Sequence, residues 1–553
     1  MKRIFFVLAF IFATVLANAQ QPWPQRMAAT AMKLWPDTSA QWSCEHCMAL
    51  NGVESVWEQT ADNQYFSYVQ HSMDALIAYD GTIKNFQKND QTLDNAMFGR
   101  LLLKLFNITE KEKYYKAALQ LYGQLKNGGL AQEHHETNPK RHNYLWVVEP
   151  FYADWAHTFH RDSDFNDIAK QFILTNGFPR GNSSHSYGLY MMALVDVLDN
   201  FPKSNANYEK LLTVLSRLST NIQKHQDAKT GLWRSMINKS NQRVNHFDTT
   251  ASCMFVYAFA KSVRKGYLPA NYINVARKGY KAMLHKFTEA HTNGAFIQAS
   301  VEMERLDNLS LGKGKTVLVD SYFNNEHRKD ITGKTISYHY KWDEMTNNGF
   351  SFLGTVFNNY GVKTGTLYDA PTAKNLKPAN IYIIVDPDIP KENPDTRYIE
   401  ADHIKAISDW VRAGGVLAVL NNDTGNAEFA HLNKLLLKFG MRFNLDSRNN
   451  VKGTQYEQGA IYIPAGNEIF KAAKKIYVKD ISTLHVDTPA YSALTDKNDV
   501  IIAVAKYGKG TVFSVGDPWF YNEYTDGRKL SPDFQNFTAA NDFVKWLIGQ
   551  IPK

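Results

Sequence analysis

Cysteine is scarce: the 553-residue chain has three. Cys44 and Cys47 form a C-x-x-C. A zinc or redox reading needs a second Cys/His pair at matching spacing, or a strand-to-helix setting. The pair lies instead in "CEHCMALNGVESVW", a helical run, and reads as structural. No apolar run after the N-terminus is long enough to span a bilayer, so no membrane partner is expected. No concentrated Lys/Arg tract tracks phosphates, which argues against nucleic acid despite the formal net charge of +8. G-x-G-x-x-G and P-loop motifs are missing, which leaves nucleotide binding unsupported. So are the G-x-S-x-G elbow and the H-E-x-x-H zinc motif.

What is present begins with "MKRIFFVLAFIFATVLANAQ". Lys2 and Arg3 precede an apolar stretch, and Ala17-Asn18-Ala19 fits a small-residue cleavage site. Residues 1–19 therefore read as a secretory signal peptide, and the mature protein as exported and periplasmic. Its removal takes away two bases and no acid, so the mature chain stays positively charged. That balance suits an anionic ligand. Aromatic residues make up 13% of the chain. Large cores account for them, and so does a sugar-binding cleft, where rings stack on apolar sugar faces.

Residues 22–305 read as helices. Segments such as "NAMFGRLLLKLF", "LYMMALVDVLDNF" and "CMFVYAFAKSVRKGYL" place apolar residues at i, i+3, i+4 and i+7. About a dozen helices in successive hairpins suggest an α/α toroid with a central cleft. The character changes near residue 305. "KTVLVDSYF", "ANIYIIVDPDIP" and "GVLAVLNND" read as strands, and "IKAISDWVRAGG" as a helix. This alternation predicts a C-terminal α/β domain over 312–553 with a mainly parallel sheet. Asp386, Asp388, Asn421, Asn422 and Asp423 fall at its strand ends. Ligands bind at such ends in open sheets, and turns also favour these residues.

Several residues of the helical part could carry chemistry. Trp42 and Glu45 precede or open a helix. Asp94 stands before another, where Asp also serves as an N-cap. Arg180 and His185 lie in the polar loop "GFPRGNSSHSYG", and Arg can grip a carboxylate with two hydrogen bonds. Trp233 is a lone aromatic, a type more often found in cores. Asp248 again sits where a cap is expected.

The stretches "WSCEHCMALNGVESVWEQTADNQYFSYV", "QTLDNAMFGRLLLKLFNITEKEKYYKAA", "EPFYADWA", "QDAKTGLWRSMIN" and "DTTASCMFVYAFAKSVRKGYL" resemble the unsaturated uronyl hydrolases. These are glycoside hydrolase families 88 and 105, which include unsaturated rhamnogalacturonyl hydrolases. The resemblance runs from about Trp42 to Leu268. "IYIIVDPDIPKE", "ISDWVRAGGVLAVL" and "VGDPWFYNEY" are similar to an α/β domain appended to some members.

The resemblance implies an (α/α)6 barrel. It implies an anionic oligosaccharide substrate, made by a polysaccharide lyase and carrying a C4=C5 double bond in its terminal uronic acid. It implies no metal and no organic cofactor. A carboxyl group protonates the double bond, water adds at C5, and the hemiketal rearranges to release the sugar. Asp94 matches an active-site aspartate of the family. Trp42 and Glu45 match its first cleft segment, and Trp233 and Asp248 match positions near the cleft floor. Arg180 and His185 are expected to hold the uronate, and Trp42 and Trp233 to stack on sugar faces.

One departure is chemical. The family reads Trp-Leu-Asp-Gly ahead of the segment matching "EPFYA", and that Asp is the proton donor. Counting back places Asn143 there. An amide is no proton donor, which leaves Asp94 or the neighbouring His142 to take over. Otherwise the cleft serves a saturated anionic glycoside, or binds sugar without turnover.

Overall fold

The computed structural model describes residues 21–84, 93–127, 145–174, 182–237, 245–286 and 294–552. The signal-like residues 1–19 lie outside this set. The chain divides into two compact units. The first takes in the described residues up to Gln59 and Gln64–Leu306, and the second Thr60–Asn63 and Asp307–Lys553. Among the described residues no helix is long and apolar enough to cross a membrane.

The first unit is helical. Its helices are α1 (Trp23–Leu34), α2 (Cys44–Thr60), α3 (Asn63–Leu76), α4 (Gly99–Thr109), α5 (Glu112–Asn127) and α6 (Leu145–Thr158). They continue as α7 (Asp164–Leu174), α8 (Ser184–Asn200), α9 (Tyr208–Lys224), α10 (Thr249–Lys265), α11 (Ile273–Lys286) and α12 (Gly294–Asp307). The helix α9 is amphipathic: Leu211, Leu215, Leu218 and Ile222 are buried at helical spacing. By contrast α10 is buried along almost its whole length, from Ala251 to Ser262. Such an all-round burial marks an inner helix.

Small residues let the inner helices approach closely. A Cβ on Gly294 of α12 would lie 1.9 Å from the Met48 carbonyl oxygen of α2. On Gly99 of α4 it would meet the Phe151 ring of α6 at 2.6 Å, and on Gly188 of α8 it would meet Met254 of α10 at 2.9 Å.

Ion pairs complete the circuit. Lys104 of α4 pairs with Glu54 and Glu58 of α2. Arg100 of α4 reaches Asp154 of α6 at 2.9 Å and Asp196 of α8 at 2.7 Å. Lys261 of α10 holds Asp196 at 2.5 Å and Asp199 at 2.7 Å. Arg264 of α10 grips Glu302 of α12 at 2.6 Å, and Arg305 of α12 returns to Glu58 of α2 at 3.4 Å. The path crosses α2, α4, α6, α8, α10 and α12 and ends where it began.

The second unit is built on a nine-stranded sheet. Its strands are β1 (Thr316–Asp320), β2 (Lys363–Leu367), β3 (Ile381–Val385), β4 (Val416–Leu420), β5 (Met441–Phe443), β6 (Leu484–Val486), β7 (Ala490–Asp496), β8 (Asp499–Tyr507) and β9 (Gly510–Val515). The order is β2-β1-β3-β4-β9-β8-β6-β5, with β7 also on β8. The β2-β1-β3-β4-β9 half is parallel. The other half is antiparallel.

The expected mainly parallel sheet is thus corrected to a mixed one. Tight hairpins are the cause. Lys497 and Asn498 both have positive φ, 50° and 72°, as the two-residue turn between β7 and β8 requires. Gly508, at φ 59°, opens the turn between β8 and β9. Helices cover both faces: α13 (Ser351–Asn359) and α15 (Asn536–Gln550) pack on one, and α14 (Ala401–Arg412) on the other.

Candidate functional site

The ion pairs fix which ends of the inner helices share a rim. Glu54, Asp154, Asp196, Lys261 and Glu302 all fall in the later part of their helices. The N-terminal ends of these five helices are therefore gathered at the opposite rim, and Trp42, Glu45, His185 and Asp248 precede or open three of them.

Two neighbourhoods can be built at that rim. In the first, Trp42 comes just before α2 and stacks on Phe98, with centroids 4.1 Å apart and planes at 19°. Phe98 ends the 3-10 segment Leu93–Phe98, which leads into α4. Asp94 lies in this segment, and its side chain lies outside the described set. Next to Phe98, Gly99 packs beneath the Phe151 ring of α6. Glu45 is exposed in the first turn of α2.

In the second neighbourhood, three chain segments are knitted by backbone hydrogen bonds. Ser184 N donates to Ser235 O at 2.9 Å, and Ser235 N donates to His246 O at 2.7 Å. Ile237 N donates to Asn182 O at 2.7 Å, and Asp248 N donates to Trp233 O at 2.9 Å. Asn245, 2% exposed, locks the strip: its Oδ1 accepts from Met236 N at 2.8 Å, and its Nδ2 donates to Met236 O at 2.9 Å. His185 is exposed on the first turn of α8 beside this patch. Asp248 accepts from Ala251 N at 2.9 Å, so it caps α10 as its sequence position suggests.

Trp233 must be corrected. It is fully buried, and its Nε1 donates to Ile222 O at 2.7 Å. Its ring packs on Phe255 and Phe259 and would meet a Cβ on Gly279 at 3.0 Å. No face is open to a sugar. Its backbone, not its indole, belongs to the site, through the bond to Asp248.

Arg180, His142 and Asn143 lie outside the described residues. Among the described residues no group of three or more His, Cys, Asp or Glu could hold a metal ion. Cys47 is buried and its thiol is pushed up, first by burial and then by Cys44, which disfavours the reactive thiolate.

The residues that sequence reasoning missed are Asn245 and the ion-pair chain opposite the rim. The chain had a readable signal. Lys261 interrupts "CMFVYAFAKSV" and Asp196 interrupts "LYMMALVDVL", both charges inside apolar runs. Burial alone would raise the Asp199 carboxyl, but Lys261 and Lys265 outweigh it and hold the group well below its ordinary value.

Three of the solved structures similar to this chain are described as glycoside or glucuronyl hydrolases. The glycoside hydrolase from family 105 of C. acetobutylicum ATCC 824 is 25% identical, with 51% of this chain and 99% of that chain covered and a TM-score of 0.46. A glycosyl hydrolase family 88 protein from Bacteroides vulgatus is 13% identical, with 50% and 96% covered and a TM-score of 0.43. The unsaturated glucuronyl hydrolase of Bacillus sp. GL1 is 12% identical, with 51% and 95% covered and a TM-score of 0.41. The sequence model of Glycosyl Hydrolase Family 88 matches residues 23–182 and 180–308. That match spans more than half of the chain, and the chain belongs to glycosyl hydrolase family 88.

Proposed function

We propose that this protein is an exported glycoside hydrolase that releases an unsaturated uronic acid from lyase-generated oligosaccharides of pectin or algal polysaccharide. The family match over residues 23–308 carries the reading. The helical unit is then an (α/α)6 barrel. The circuit of close approaches and ion pairs that returns from α12 to α2 supports this closure. Helix N-termini gathered at one rim favour the carboxylate of such a substrate through aligned peptide dipoles. The apolar N-terminal segment behind Lys2 and Arg3 supports export.

In this reading water adds across the C4=C5 bond: a proton goes to C4 and hydroxide to C5. The C5 hemiketal opens, and the glycosidic oxygen leaves with the shortened sugar. Asp94 is the first candidate for the proton, and His142 the second. Trp42, Glu45, His185 and Arg180 contact the sugar, and Asp248 holds α10 in place beneath them. The test is loss of the double-bond ultraviolet absorbance when purified protein meets lyase-treated pectins and algal polysaccharides. Steady loss on one substrate is expected. No loss on any of them overturns the hydration chemistry.

Asn143, standing at the family's donor position, favours a second reading. The cleft then cleaves a saturated anionic glycoside, or binds sugar without turnover. Released saturated sugar in the same samples, with the double bond intact, would support the first of these.

A further inference from the structure

The second unit carries a feature that hydrolysis in the helical unit does not use. In an open α/β sheet, ligands bind outside the carboxyl ends of the strands, at the point where strand order reverses. Here β1 lies between β2 and β3, so the reversal falls beside β1. Four side chains stand just past these ends: Ser321, Asp386, Asp388 and Asn421, none more than 5% exposed. Each has a polar atom with no hydrogen-bond partner. These are Ser321 Oγ, Oδ1 of both Asp386 and Asp388, and both amide atoms of Asn421. Buried polar atoms are nearly always paired, so each exception asks for a physical account.

The other carboxyl oxygens are firmly held. Asp386 Oδ2 accepts from Tyr340 Oη at 3.1 Å and Asn422 Nδ2 at 3.2 Å. Asp388 Oδ2 accepts from Asn325 N at 2.9 Å and Asn393 Nδ2 at 2.7 Å. Each carboxyl is thus anchored by one oxygen and leaves the other unused. Asn422 is part exposed, so Asp386 lies one side chain below the surface. Around it, His339 meets Glu326 at 2.6 Å, both part exposed, and Glu392 is exposed.

The unmet groups select the chemistry. Asp386 and Asp388 accept, whereas Ser321 and Asn421 both donate and accept. The four carboxyl groups Asp386, Asp388, Glu326 and Glu392 outnumber His339 and the buried Lys341, so an anion is disfavoured. No metal-holding group of three is formed among the described residues. A hydroxyl can donate to a carboxyl oxygen and accept from an amide or serine.

We propose that the strand ends of the second unit bind a neutral sugar, whose hydroxyls donate to Asp386 Oδ1 and Asp388 Oδ1. The site lies within the second unit and would hold an uncharged residue of the polysaccharide.

Saturation-transfer NMR and calorimetric titration of the whole mature protein test this, with galactose, glucose, rhamnose and arabinose as probes. Galacturonate and Tris are the charged controls. At least one neutral sugar should bind, and Asp386→Asn should weaken it by about tenfold or more. Asn also tolerates the φ of 42° found at Asp386, and it keeps an acceptor for Tyr340. Asp388→Asn is the second variant, and it decides the matter if Asp386→Asn fails to fold. Asp94→Asn, in the helical unit, should bind the neutral sugar unchanged, which separates this site from the hydrolytic one. The proposal is overturned if no neutral sugar binds, if only galacturonate or Tris binds, or if the folded variants bind like wild type.

Discussion

The Lys261 ammonium lies 2.5 Å from the Asp196 carboxylate, and both side chains are less than a tenth exposed. Tyr257 also donates to that Asp196 oxygen, at 2.6 Å, and Asp199 takes the far side of Lys261. Two carboxylates and a phenol thus enclose one buried cation, at the point where α8 and α10 meet.

Lys261→Met should therefore be costly although the volumes are similar. It leaves the buried Asp196 with less compensating charge, and breaking a buried pair costs about 3–5 kcal/mol. Thermal and urea unfolding check this. A variant within about 1 kcal/mol of wild type would mean that water reaches these carboxylates, as it does at a surface pair.

The same circuit predicts acid sensitivity. Burial would raise Glu58, but Lys104 and Arg305 outweigh it and bring it down to about 2. Asp196 and Glu302 are likewise lowered by their cations against the pull of burial. A carboxyl depressed in the folded state stabilises above its unfolded pKa and ceases to as pH falls through the folded one. These depressed carboxyls should make the helical unit lose stability from about pH 4 downward, whereas Glu54, pushed up to about 7 by burial and then by Glu58, should take some stability away as pH rises through that value. Calorimetry across this range checks it, and Glu58→Gln should flatten part of the slope.

The second unit should respond in the opposite sense. Burial pushes Asp386 up to about 7, with His339 opposing and Glu392 reinforcing. A raised carboxyl gives its full stability below the unfolded pKa, about 4, and that contribution is lost as pH rises through the folded value. Asp386→Asn removes the ionisation, so its stability should fall less than wild type between pH 5 and pH 8, the span that brackets the folded value. Equal slopes in the two proteins would refute the assignment.

Which features were legible in the sequence follows from what carries them. The inner helices show through because a 3.6-residue period is local, and Asp248 shows as a cap because its partner, Ala251, is three residues away. The β8–β9 hairpin reads from "VIIAVAKYGKGTVFSVG", but the rest of the antiparallel half did not show. Its strands Met441–Phe443 and Leu484–Val486 are three residues long, too short for alternation to register. The pairing of Arg305 with Glu58 joins residues 247 apart, and no local pattern encodes it. Trp233 misled because a resemblance transfers a position in the chain, and burial is set by the residues packed around it.

Gly294 tests the closure between the first and last inner helices. A methyl group there would sit 1.9 Å from the Met48 carbonyl oxygen, a backbone atom that cannot swing away as a side chain could. Gly294→Ala must push α12 from α2 and should cost about 1–3 kcal/mol, the usual range for overpacking. An unchanged melting temperature would mean that the two helices are further apart than this geometry requires.

Asp94 and Asp248 both precede inner helices, yet they should part company on mutation. Asp248 makes a definite cap, so Asp248→Ala should lower stability by about 1 kcal/mol, mostly through α10. Its effect on turnover should be modest and should shrink at low temperature, where the helix end is held. Asp94 is expected to handle the proton, so Asp94→Asn should abolish loss of the double-bond absorbance and leave stability within about 1 kcal/mol. His142→Ala supplies the cross-check. If it removes activity together with the acid limb of the pH profile while Asp94→Asn stays active, the proton comes from the imidazole. If Asp94→Asn alone is inactive, a carboxylate one helix away has replaced the family's missing donor at Asn143.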